Sequence, residues 1–266
     1  MNKNKRQPIL LLSAFLLAAI FLTACNFGTI QTGPTQTKNE TVEAGGADTA
    51  VVNINMGTGE LTATGGATDL MEAEFIYNVS NWEPEISYAV SGENGRLEVN
   101  QPDTDEIGIP DGDVKYQWNL QFNEEMPLEM DISVGAGESN LDLRSLTVER
   151  FSIDTGAGSA TVLFGGSPLR TVDVQAGVGE VKLDLTGEWD ADANVSIDAG
   201  VGQMSIVLPS DVGVIVDADL GIGDLNANGF IIEGDNYVNA AYGDSPVTLS
   251  IDLNGGVGAI TLQLEE

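Results

Sequence analysis

Four aspartates in the last third of the chain, Asp198, Asp217, Asp219 and Asp252, stand at matching positions of a repeat and would crowd together if its copies stack. Clustered carboxylates can hold a hard divalent cation through their oxygens. Two of them about 5–9 Å apart can also divide the work of glycoside hydrolysis. These four are the candidate cation ligands. The chain offers little else for chemistry. It has no histidine, and Cys25 is its one cysteine. Imidazole proton transfer, Ser-His-Asp and Cys-His nucleophiles, and nearly all transition-metal sites therefore fall away. Any reaction would rest on carboxylates, Lys, Arg or Tyr. Beyond the first 24 residues the arginines are Arg96, Arg144, Arg150 and Arg170, none inside the aspartate group. No catalytic residue and no cofactor is assigned.

What would position the aspartates is a glycine repeat. Gly-x-Gly occurs at Gly57/Gly59, Gly135/Gly137, Gly156/Gly158, Gly177/Gly179, Gly200/Gly202, Gly221/Gly223 and Gly256/Gly258. From Gly135 onward the steps are 21, 21, 23, 21 and 35 residues. Such a period marks a stacked architecture in which each repeat buries its apolar face on its neighbours. Five positions before the first glycine stand Val52, Met130, Phe151, Val172, Val195, Val216 and Ile251; three before stand Ile54, Ile132, Ile153, Val174, Ile197, Ala218 and Leu253. Polar residues fill the positions between. Apolar positions resume four and six beyond, as at Val181 and Leu183. This is the alternation of a strand with one buried face. Each repeat reads as strand, glycine corner, strand, loop. The residue between the glycines is small or aliphatic and is expected to point inward and plug the corner.

In sequence order the outward columns alternate charge from Asp131 onward. Four before the glycine they run Asp131, Ser152, Asp173, Ser196, Asp217; two before, Ser133, Asp154, Gln175, Asp198, Asp219. Like strands lie about 4.8 Å apart, so an unbroken ladder of carboxylates would repel itself. The checkerboard spaces the charge, except among the later copies. The calcium-binding nonapeptide repeat is a poor match, because its period is shorter and its aspartate follows the glycines. A dinucleotide fold would need a third glycine and a helix, whereas β-branched residues follow these pairs.

Residues 1–24 read as a secretion signal. Lys3, Lys5 and Arg6 precede an apolar run from Ile9 to Leu22, and Leu22-Thr23-Ala24-Cys25 closes it. The run is shorter than the roughly 20 residues needed to span a bilayer. Leu-Thr-Ala-Cys resembles the bacterial lipobox, whose cysteine is lipidated and becomes the new N-terminus. The resemblance implies lipidation of Cys25. Asn26, in place of the aspartate that resembles an inner-membrane retention signal, leans toward the outer leaflet where an outer membrane exists. Residues 25–47, rich in Thr, Gly, Gln and Asn, have the composition of a flexible tether. Residues 48–266 form the folded domain. Within it, 48–127 hold an N-terminal part with a cap and 128–266 the regular repeats. Residues 66–127 carry aromatic alternation, Phe75 and Tyr77, then Tyr116, Trp118 and Phe122, suited to cap packing or to a sugar platform. Tyr237 and Tyr242, in the long last step, are placed to cover the other end.

The net charge is −31, from 41 acidic and 10 basic residues. Loss of the three basic leader residues takes it to −34. A nucleic-acid partner is excluded, because binding phosphate needs Lys/Arg clusters.

Ile-Asp-Thr-Gly-Ala-Gly (153–158), Ile-Asp-Ala-Gly-Val-Gly (197–202) and the closing Asn-Gly-Gly-Val-Gly-Ala-Ile-Thr-Leu (254–262) resemble the toast-rack family of bacterial envelope proteins. They are similar also to the C-terminal β-solenoid of cell-wall-antibiotic response regulators and to adhesin-like head domains. The resemblance covers residues 48–266. It implies an all-β fold: a right-handed parallel β-solenoid of the single-stranded β-helix type, with about 21-residue coils and an N-terminal β cap. The handedness agrees with the general preference of parallel crossovers.

The expected function is that of a non-catalytic, membrane-anchored extracytoplasmic lipoprotein, a scaffold, adhesion or envelope-interaction module. Its partners would be the cell membrane or outer membrane, through lipid on Cys25, and an envelope protein or cell-wall polymer. The alternatives are a polysaccharide-active β-helix enzyme using clustered aspartates, and a ligand-binding envelope sensor.

Overall fold

Apolar side chains at alternate positions on both sides of each glycine pair draw the backbone into long bent strands. The structure, a computed structural model, describes residues 28–103 and 108–265. The secretion signal, Cys25 and Asn26 lie outside the described residues.

The strands are β1 (Gly28–Ile30), β2 (Gln36–Val42), β3 (Thr49–Gly65), β4 (Met71–Tyr77), β5 (Glu85–Ser91), β6 (Asn94–Asn100), β7 (Gly108–Pro110), β8 (Tyr116–Phe122), β9 (Leu128–Leu143), β10 (Val148–Phe164), β11 (Thr171–Asp184), β12 (Ala193–Leu208), β13 (Gly213–Asn228), β14 (Ile231–Glu233), β15 (Asn236–Val238) and β16 (Thr248–Leu264). One short 3-10 turn, Ser80–Trp82, is the only helical element among the described residues. The fold is all-β, as expected, and its main sheet does not close into a barrel.

Seven glycine-cornered strands pair in parallel and in register. Met130 lies beside Phe151, Phe151 beside Val172 and Val172 beside Val195, with the glycines of each pair aligned. The apolar columns are buried as the alternation predicts: Val52, Ile54, Phe151, Val172, Ile197, Ile206 and Leu262 are all fully enclosed. Each such side chain contributes about 1.5–3 kcal/mol relative to exposure.

The order of these strands departs from the sequence. Successive repeats were expected to lie on one another to the end. Instead the order from β2 is β2, β4, β8, β3, β9, β10, β11, β12, β16, β13, β15, β14. The C-terminal strand β16 inserts between β12 and β13, parallel to both. Electrostatics favours this arrangement. In sequence order Asp219 would lie beside Asp198; the insertion puts Asn254 between them. The inner column then reads Asp154, Gln175, Asp198, Asn254, Asp219, with no two carboxylates adjacent.

At the N-terminal side one bent strand is replaced by two straight ones. β6 pairs with the first arm of β3 and β8 with the second. β5 pairs with β6, β4 with β8 and β2 with β4, all antiparallel. Gln101 bridges the gap at the corner: the Gly57 and Thr58 N–H groups donate to its Oε1 at 2.8 and 3.1 Å. The pairing of β2 corrects the tether boundary. Residues 36–42 alternate outward and inward against β4, so the flexible segment assigned to 25–47 does not extend through them. Thr37, Thr41 and Val42 supply the β-branched residues of a strand, which the polar composition concealed.

At the C-terminal side, β15 pairs antiparallel with Ile215–Asp217 of β13, and β14 pairs with β15. Tyr237 sits beside Val216 and packs on the core, as its covering role required. Asn239 is buried and secures the entry to β13. Its Oδ1 accepts from the Val214 N–H at 2.9 Å, and its Nδ2 donates to the Val212 carbonyl at 2.8 Å.

One column position breaks the apolar rule. Ser139, four beyond Gly135, is 1% exposed, and its hydroxyl has no hydrogen-bond partner. An unsatisfied buried hydroxyl costs about 1–3 kcal/mol. Ser139→Ala should therefore stabilise the fold by about 1 kcal/mol, raising the melting temperature by roughly 2–4 °C in calorimetry. A lowered melting temperature would show that the hydroxyl is satisfied in solution.

Candidate functional site

The glycine corners form one long edge of the molecule, and the candidate site lies along it. Both glycines of each pair are required there for close stacking. A Cβ on Gly156 or Gly158 would come closer than 3.0 Å to the carbonyl of Gly135 or Gly137 in the neighbouring strand. The same clash repeats along the column through Gly177, Gly179, Gly200, Gly202, Gly256 and Gly258. The second glycine also takes positive φ in most copies, +138° at Gly137 and +150° at Gly179 and Gly202.

The residue between the glycines does not plug the corner. Val178, Val201 and Val257 are 59%, 50% and 47% exposed, and Ile222 is 74% exposed. The strand reverses which face is inward between the two glycines, so the middle side chain stands at the turn, where two arms diverge and nothing packs over it. Since β11, β12, β16 and β13 are neighbours in register, these four side chains form a continuous aliphatic ridge.

Beside the ridge runs an open groove of about 670 Å³, whose polar lining includes Asp154, Gln175, Asp198, Asn254 and Asp219. Its carboxylates occupy every second strand, roughly 9–10 Å apart. The four candidate cation ligands are not brought together. Asp198 and Asp219 are held apart by Asn254, and Asp217 lies beside Asp252 in the outer column. Asn254 Nδ2 donates to Asp252 Oδ1 at 3.3 Å. Among the described residues no group of three or more His, Cys, Asp or Glu side chains is arranged to hold a metal ion.

General acid catalysis by a carboxyl at neutral pH needs burial or a close like charge to keep it protonated. No described Asp or Glu is buried. The groove carboxylates stand on strands roughly 9–10 Å apart, near the upper end of the roughly 6.5–9.5 Å carboxyl separation used by inverting glycosidases. Arg144 forks onto Asp142, with Nε to Oδ1 at 2.8 Å and Nη2 to Oδ2 at 2.7 Å, and holds that carboxyl below its ordinary range. That pair lies on the other arm of the fold and does not serve the groove.

The cap aromatics face inward. Phe75, Trp118 and Phe122 are fully buried, and Tyr116 and Trp82 nearly so. Phe75 meets Trp118 edge-on at 5.5 Å, and Trp82 meets Tyr116 at 5.4 Å. Burial pushes the Tyr116 hydroxyl's pKa up, with the Trp118 indole as a smaller opposing influence. These rings pack a core and present no flat platform to a sugar.

The aliphatic ridge was missed by the sequence reading. Its signal was present: the middle residue grows from Thr58, Ala136 and Ala157 to Val178, Val201, Ile222 and Val257, a trend that close packing inside a corner of constant size would not permit. No described helix is long and apolar enough to cross a membrane.

No curated protein sequence matches the chain. Among solved structures, a "putative cell adhesion protein" from Clostridium sporogenes ATCC 15579 is similar at 32% identity and a TM-score of 0.67, over 87% of this chain and 100% of that one. A "putative adhesin" from Bacteroides fragilis NCTC 9343 aligns at 12% identity and a TM-score of 0.41, over 88% and 99% of the two chains. The family described as the N-terminal domain of toast_rack, DUF2154, matches residues 31–168 and 164–207. The chain belongs to this toast-rack family.

Proposed function

We propose that the chain is an extracytoplasmic adhesion or scaffold lipoprotein, non-catalytic, held at the cell membrane or outer membrane by lipid on Cys25. The observation that carries this reading is the similarity, over 87% of this chain, to the "putative cell adhesion protein" of C. sporogenes. The exposed groove carboxylates, spaced on alternate strands, support a non-enzymatic role. In this reading the glycine-cornered strands wind as a right-handed solenoid, which gives a rigid rod with a repetitive surface. The partner along the corner groove is an envelope protein or a cell-wall polymer, and no cofactor takes part.

Two measurements test it. The purified domain, residues 28–266, is coated on a surface and the retention of bacterial cells is compared with an uncoated control. Retention above the control supports adhesion, and its absence on every envelope type tried removes it. Separately, Cys25→Ser should move the protein from the detergent phase to the aqueous phase in a partition assay. The wild-type N-terminal peptide should gain the mass of a diacylglycerol. An unmodified wild-type cysteine would end the lipoprotein reading.

A further inference from the structure

The chain enters its fold almost at once after Cys25. Ile30 is 7% exposed and belongs to the core. β1 pairs with β7, Gly28 to Gly108 and Thr29 to Ile109. The Asp111 N–H donates to the Ile30 carbonyl at 3.0 Å. The Thr32 N–H and hydroxyl both donate to Asp111 Oδ1, at 2.9 and 2.8 Å. The Gly33 N–H donates to the Asn78 carbonyl at 2.7 Å. Asn78 in turn ties down the strand entering β8: its Nδ2 donates to the Asp113 carbonyl and its Oδ1 accepts from the Lys115 N–H, both at 2.8 Å. Five residue-to-residue steps therefore separate Cys25 from the fixed Ile30, and even fully extended they span at most about 18 Å.

That fixed point is at one pole of the molecule. Asn78 lies between β4 and β8, on the side of β3 that faces away from the parallel stack. From β3 to β13 the stack covers six strand spacings, about 29 Å. Ile222, Ile231 and Ile232 stand at the far pole. Ile109, directly beside the entering strand, is 69% exposed.

Resting on the lipidation of Cys25 proposed above, we infer that the N-terminal pole lies against the anchoring bilayer, with Ile109 at the boundary between headgroups and acyl chains, and that the far pole with its isoleucines is presented outward. The short connection prevents the domain from standing off the surface. An exposed isoleucine beside the anchor gains from the interface, which takes apolar groups at its inner boundary.

After lipidation the mature chain has no free thiol, so a single introduced cysteine takes one fluorophore. Full-length lipidated Ile109→Cys and Ile222→Cys, each carrying the same dye, are reconstituted in phosphatidylcholine–phosphatidylglycerol vesicles with a headgroup nitroxide lipid. Quenching at 109 should exceed that at 222 severalfold. A flexible Gly/Ser insert of roughly 20 residues before Gly28, with a mean reach of about 25 Å, should abolish the difference while the vesicles still carry the protein in a flotation gradient. Equal quenching without the insert, or stronger quenching at 222, overturns the inference while lipidation stands. Failure of the wild-type protein to float overturns lipidation, and the posture with it.

Discussion

Removal of residues 248–266 is expected to collapse the C-terminal half of the fold rather than trim its end. β16 pairs over 15 positions with β12 on one side and 15 with β13 on the other. Its Leu249, Ile251, Leu253, Ile260 and Leu262 are all buried. Five such side chains represent roughly 8–15 kcal/mol of apolar burial, comparable to the whole stability of a typical domain. The truncated chain would also leave β12 and β13 without a shared neighbour. Urea unfolding followed by circular dichroism should show the loss, and hydrogen exchange should show deprotection of β12 and β13. The alternative, in which β13 lies directly on β12, gives a different outcome: both strands stay protected and the midpoint falls only slightly. That outcome would refute the inserted order.

The second large effect concerns the glycine columns. Gly179→Val should destabilise by about 2–6 kcal/mol, from backbone strain at positive φ and from overpacking against Gly158. The two causes can be separated. Gly156 has no positive φ, yet its Cβ would strike the Gly135 carbonyl. Gly46 has φ +88° and nothing within 4 Å of its Cβ position. If stacking dominates, Gly156→Ala costs more than Gly46→Ala in chemical denaturation. If strain dominates, the order reverses and the close-stacking account fails.

Period-2 alternation made the buried columns legible, since a side chain at Val172 or Ile197 has one face to choose and the core takes it. Alternation is silent on which strand lies beside which. Every glycine-cornered strand carries the same alternation, so the pattern alone does not say whether Ile251 or Val216 lies beside Val195. Two weak signals favoured the inserted order. The long last step provided chain enough to travel out and back, and Asp198 beside Asp219 was an uncorrected repulsion that Asn254 removes. β13 also has poor apolar columns, with Ala218 and Ala227 where its neighbour β16 has Leu253 and Leu262, as suits an outer strand. The exposed ridge is hard to read because aliphatic character suggests burial, although aliphatic residues occur freely on surfaces. β2 was hidden by polar residues that pair through their backbone. At the candidate site, the outward direction of Asp154, Asp198 and Asp219 was readable, whereas their spacing depended on the strand order.

The interior position of the last strand has a consequence for biosynthesis. A chain made from its N-terminus can add layers one at a time only as far as β12. β13 follows, but its berth is one place further out, and the vacancy between them cannot close until β16 is delivered. Until then two raw backbone edges stay open, and a stalled or prematurely terminated product keeps them. Arrival of β16 thus acts as a latch, and proteases meet an unlatched molecule in any product that lacks it.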